Sequence, residues 1–79
     1  MPTYYVSVSV TRPASLGDLA LTVLFLEAAQ RARCIAGDVT AEGMVVEAEP
    51  VFREPLEASL RDVLREQRAK LDRITVTRL

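Results

Sequence analysis

The residues of this chain that could carry chemistry are few, and they cluster near its beginning. Pro2 would become a secondary amine at the chain end once Met1 is removed, and Arg12 follows ten positions later. A terminal amine shielded from water can titrate near neutrality and act as a base, and an arginine can polarise a carbonyl or hold a carboxylate. Arg12 also opens the segment RPASLGDL, in which Ser15, Gly17 and Asp18 stand where a helix is predicted to begin. Free amides at a helix start favour an anion, so Arg12, Ser15, Gly17 and Asp18 form the candidate binding set, with a small carboxylate as its ligand.

The remaining reactive types point to no reaction. The sequence has no histidine, so the usual proton carrier near neutral pH and the commonest metal ligand are both missing. The single cysteine, Cys34, can form neither an internal disulfide nor a cysteine zinc cluster. It falls at the end of the first predicted helix, where the negative pole of the helix opposes a thiolate. Glu42, Glu47 and Glu49 are carboxylates without further ligands beside them, and they read as the polar side of an exposed strand. No catalytic residue, metal site or cofactor is therefore assigned, and an enzyme is the less favoured class.

Composition narrows the partners. Seventy-nine residues, 49% hydrophobic and 27% charged, describe one folded domain spanning 1–79. A net charge of −1 offers no field for nucleic acid or anionic lipid. The most apolar piece, Leu19–Leu26, is far short of the roughly 20 residues that span a bilayer. With no leader pattern visible at the start and one unpaired cysteine, a reducing cytoplasm is the expected compartment.

The elements that must position these residues follow from periodicity. Thr3–Thr11 alternates strictly, with Tyr4, Val6, Val8 and Val10 on one side and Tyr5, Ser7, Ser9 and Thr11 on the other, which predicts a half-buried strand. Pro13 ends it, and Ser15 is the predicted N-cap of a helix running to about Arg33. Cys34–Thr40 predicts a short strand with Ile35 and Val39 inward. Ala41-Glu42-Gly43 is the turn to a better strand, Met44–Glu49, which Pro50 stops. Pro55 opens a second helix with inward Leu56, Leu60, Val63, Leu64, Gln67 and Leu71, and with Glu57–Arg61 and Glu66–Lys70 pairs outside. Arg73–Leu79 alternates again as a last strand, with Ile74 and Val76 inward.

Strand, helix, hairpin, helix, strand predicts an α+β fold: a ferredoxin-like βαββαβ two-layer sandwich, its four-stranded antiparallel sheet carrying both helices on one face. A three-stranded sheet with the same helices is the alternative if Cys34–Thr40 is not a strand. The open face would carry Tyr5, Ser7, Ser9, Thr11, Thr75 and Thr77 with Glu47 and Glu49. One aromatic beside carboxylates is a poor platform for bases and phosphates, so no nucleic acid is expected there.

Two families share parts of this pattern. Pro13, Gly17 and Leu19 in the loop and Ile35-Ala36-Gly37-Asp38-Val39 in the second strand resemble ACT domains, βαββαβ regulatory modules. That resemblance implies amino-acid sensing at a dimer interface near the loop. The spacing of Pro2 and Arg12 resembles the small tautomerases, which implies Pro2 as base and Arg12 as the polarising group.

The first helix is more apolar than such a fold requires. Leu16, Leu19, Val23 and Leu26 make one stripe, suited to the sheet, and Leu21, Phe25, Ala28 and Ala32 make a second on the opposite side. The second stripe, with Val45 and Leu79, is the predicted interface of a homo-oligomer or the seat of a protein partner. Val51 and Phe52 folding over that stripe would instead make it core. Burying roughly 400 Å² of apolar surface there would contribute on the order of 10 kcal/mol before association costs. A self-associating, non-enzymatic module is the leading functional expectation.

Overall fold

The computed structural model describes residues 1–79. Thr3–Thr11 forms strand β1, with Tyr4, Val6 and Val8 buried and Tyr5, Ser7 and Ser9 exposed, as the alternation requires. Helix α1 follows at Asp18–Arg31, then the hairpin β2 (Ile35–Thr40) and β3 (Gly43–Glu47), helix α2 at Arg53–Glu66, and β4 at Lys70–Arg78. The strands lie in the order β2-β3-β1-β4, every neighbouring pair antiparallel. This is an α+β sandwich compatible with a ferredoxin-like arrangement. The two helices pack on each other and cover one face of the sheet, and a single apolar cluster fills the space between. No helix is long and apolar enough to cross a membrane.

Both helices stop by the same device. The Cys34 N–H donates to the Ala29 carbonyl at 2.8 Å and the Arg33 N–H to that of Gln30 at 3.1 Å; Ala69 and Arg68 repeat the pattern on Leu64 and Arg65. These paired bonds are Schellman motifs, with a left-handed residue just past each helix. That residue is arginine in both, Arg33 at φ 61° and Arg68 at φ 59°. The second Schellman motif turns the chain so early that Leu71 belongs to β4 and not to α2. Lys70 is likewise in β4, and the Glu66–Lys70 pair does not form, whereas Arg61 reaches Glu57 at 3.2 Å.

The largest correction concerns α1. Leu21, Phe25, Ala28 and Ala29 are its buried residues, and Leu19, Val23 and Leu26 are 81%, 58% and 40% exposed. The stripe expected at an interface is therefore the core stripe, and most of the one assigned to the sheet faces solvent. The two sides differ in kind: the buried one carries Phe25 with the small Ala28 and Ala29, whereas the outer one carries only the aliphatic Leu19, Val23 and Leu26. Phe52 is buried as well, its ring 4.7 Å from that of Tyr4, while Val51 is exposed.

Smaller departures have local causes. Pro13 makes a turn in which Leu16 N–H reaches the Pro13 carbonyl at 3.0 Å, so Leu16 is buried ahead of the helix and Gly17 is the N-cap. Ser15 caps nothing. In β2, Ala36 faces the helices and Ile35 is 59% exposed on the other side, the reverse of the predicted orientation. Asp38, at φ 47°, sits in a register shift between Gly37 and Thr40, and the shift returns Val39 to the core. Ala48 and Glu49 lie beyond the end of β3.

Candidate functional site

At the β1–α1 loop the four candidate residues are close in sequence but do not converge on a cavity. Arg12 is half-buried, and its Nη2 donates to Asp18 Oδ1 at 2.5 Å. This ion pair holds the loop against the first turn of α1, where an acidic residue also suits the helix dipole. The other guanidinium nitrogen, Nη1, is buried without a hydrogen-bond partner. Ser15 and Gly17 are exposed, and a side chain at Gly17 would meet nothing within 4 Å. Gly17 therefore does not bring the backbone close to anything the structure contains.

Pro2 and Arg12 are not brought together within one chain. They flank the two ends of β1, a separation of about 30 Å at the usual rise per residue. Pro2 is half-buried, and its carbonyl accepts the Ala48 N–H at 3.2 Å.

Cys34 is buried at the end of the first Schellman motif, with Sγ 3.8 Å from the Ala32 carbonyl oxygen. Burial raises its pKa above the ordinary thiol value, which disfavours the thiolate. Glu42, Glu47 and Glu49 do not converge with one another, and no three carboxylate or cysteine side chains form a cluster able to hold a metal ion. The two surface depressions lie along α2. One of about 500 Å³ is lined by Arg53, Glu54, Glu57, Ala58 and Arg61, and one of about 130 Å³ by Arg61, Arg65, Ala69, Lys70 and Leu71. Both are open and charged, and neither touches Arg12, Ser15, Gly17 or Asp18.

The residues expected at an interface divide. Leu21, Phe25 and Ala28 are interior and Ala32 is half-buried against the core, so none of them offers a free face. Val45 and Leu79 remain on the surface, Val45 half-exposed and Leu79 67% exposed. They lie on the side of the sheet that no helix covers. The strand register arranges this face in rows. Ile35, Glu47 and Thr3 share one, which Leu79 extends through its N–H bond to the Thr3 carbonyl. Gly37, Val45, Tyr5 and Thr77 share the next, and Thr40, Gly43, Ser7 and Thr75 the third. Ser9 and Arg73 follow at the far end.

Tyr5 lies across this face, because a β-carbon on Gly43 would stand 2.9 Å from its hydroxyl oxygen. The same β-carbon would stand 2.3 Å from the Val6 carbonyl oxygen, so only glycine fits at position 43. Tyr5, Ile35 and the Leu19–Val23–Leu26 stripe are surface features absent from the predicted interface. The period of the stripe was visible in the sequence, but which side of α1 faced outward was not.

No protein-family model, curated protein or solved structure matches the chain significantly.

Proposed function

We propose that this chain is a non-enzymatic module of ferredoxin-like arrangement that works by self-association, and that its open sheet face is the assembly surface. The observation that supports this reading is the pairing of Tyr5 with Val45 in the middle of that face, flanked by Ile35 and Leu79 and by small or hydroxyl-bearing residues. Its two central rows carry no charge. A solvated sheet surface ordinarily alternates in charged or strongly polar side chains, and an uncharged centre with a polar rim is the composition of an interface.

Size supports the reading too. Strands of nine, five, six and nine residues, spaced about 4.8 Å apart, make a face of roughly 450 Å² in projection. Side-chain relief raises the accessible area toward the roughly 800 Å² per partner of a standard interface. Sedimentation across a concentration series tests the reading: a reversible oligomer is expected, and a clean monomer at high micromolar concentration would refute it.

A second reading, a sensor of small carboxylates, is supported by one atom. Arg12 Nη1 is buried and unbonded, and a ligand carboxylate able to displace Asp18 would satisfy it. Thermal stabilisation by one amino acid of a panel, lost in Arg12→Ala, is its expected signature.

A further inference from the structure

We infer that two copies stack their open faces about a two-fold axis running along the strands, seating Tyr5 of each copy on Val45 of the other. The inference rests on the self-association reading above and specifies its geometry. A two-fold axis lying in the contact plane along the strands exchanges β1 with β3 and β2 with β4, because the strand order is β2-β3-β1-β4. Every row then meets its own mirror order.

The rows are suited to that exchange. In the first, Ile35 meets the partner's Leu79, and Glu47 meets the partner's Thr3, so no like charges are opposed. In the second, Val45 meets the partner's Tyr5 and Gly37 the partner's Thr77. In the third, Thr40 meets the partner's Thr75, and the partner's Ser7 comes down on the Tyr5 ring that covers the buried Gly43. Large apolar groups thus face large apolar groups, and small residues face small or hydroxyl-bearing ones, as two sheets about 10 Å apart require. The other in-plane axis, across the strands, fails this test. Centred between the two uncharged rows, it would set Leu79 against the partner's Arg73 and Tyr5 against the partner's Ser7, and would leave Ile35 facing nothing.

Tyr5 suits the role of anchor. Its ring already lies along the face over Gly43, and a tyrosine offers a large contact with little rotamer freedom to lose. The charged ends of the face, Glu47 at one and Arg73 at the other, stay at the rim where water reaches them. Interfaces keep charge in that position.

The test is isotope-filtered NMR on a mixture of labelled and unlabelled copies, which reports contacts between chains only. Contacts from Tyr5 ring protons to Val45 methyls and from Ile35 methyls to Leu79 methyls are expected. Ile35 and Leu79 stand on opposite edge strands, about 14 Å apart in one chain, so their contact can arise only between copies. Val45→Glu should weaken dimerisation about a hundredfold or more with the circular dichroism spectrum unchanged, because it places a carboxylate in the dry centre. Val23→Glu, on the outer side of α1, should leave the dimer intact. A dimer that survives Val45→Glu, lacks the Ile35–Leu79 contact and is lost in Val23→Glu overturns the sheet-face geometry while leaving self-association standing. A monomer at high micromolar concentration overturns both.

Discussion

The seating of α1 can be tested by one pair of truncations, Phe25→Ala and Val23→Ala. Phe25 is fully buried, in the cluster that also holds Leu21, Leu56 and Leu60. Truncation removes its ring and leaves a cavity that the surrounding helices fill only in part, at a cost of about 3–5 kcal/mol. A chain of 79 residues is expected to have about 4–12 kcal/mol of stability in all, so the loss brings the variant near its unfolding limit. At a slope of about 1 kcal/mol/M, the urea midpoint should fall by about 3–5 M. Val23 is 58% exposed, and its truncation should change stability by less than about 0.5 kcal/mol. The assay is urea unfolding followed by far-ultraviolet circular dichroism, at protein concentrations low enough that association adds nothing. If Val23→Ala proved the more damaging of the two, α1 would be seated on its other stripe, with Phe25 outside the core.

Two further outcomes follow from particular residues. Gly43→Ala should destabilise the chain by about 1–3 kcal/mol or more, because the new methyl group meets the Val6 carbonyl, a backbone atom that cannot swing aside; a thermal melt within a degree of wild type would contradict the close approach of β1 and β3. Cys34 ties stability to alkaline pH. Its folded pKa is raised by burial above the ordinary 9.0, so the unfolded chain releases the thiol proton first. That contribution is fully present below the unfolded value and is lost as pH rises from there through the folded one. Wild-type stability should accordingly fall more steeply than that of Cys34→Ala above about pH 9 in paired urea titrations; parallel curves would show that the thiol is solvated in the native state.

Periodicity made the elements of this fold legible, and symmetry in the pattern hid some of their orientations. The alternation of β1 is one-sided in chemistry, valines against serines, so its buried face could be read directly. α2 likewise has one apolar side, and Leu56, Leu60, Val63 and Leu64 are buried as their spacing requires. α1 has two apolar sides, and an amphipathic argument cannot choose between them. The side that is buried is the one carrying Phe25, Ala28 and Ala29, a mixture of bulk and small residues whose fit depends on the surface opposite. The helix ends were obscured for another reason. A glycine usually marks a Schellman turn, but here Arg33 and Arg68 adopt the left-handed conformation, and nothing in their chemistry announces it. Helical spacing therefore carries on to Leu71, which is in fact the first buried residue of β4.

The candidate site was less legible than the fold. Arg12 and Asp18 do meet, but their encounter is an ion pair bracing a loop, and motif spacing could not distinguish that from a ligand site. Pro2 and Arg12 showed a suggestive spacing within a segment that is straight, and a straight strand separates residues that a count places near each other. Val45 stands on the outward side of its strand by alternation alone, and the structure keeps it and Leu79 at the surface. Alternation alone puts Ile35 inward, whereas the register of β2 against β3 turns it outward beside Glu47.

The central position of β1 has a consequence for how the chain folds. Within this fold β1 is made before the other strands, and one of its two neighbours, β4, is made after every other element. Until β4 arrives, β1 has a row of unpaired backbone groups along one side, in a segment rich in valine. Such an edge is a template for pairing with other nascent chains. Closure of the sheet must therefore follow synthesis of nearly the whole fold, and the β1–β4 pairing, which joins the most distant segments of the sheet, is the last to become possible. The period before that step is the one in which this protein is most exposed to aggregation.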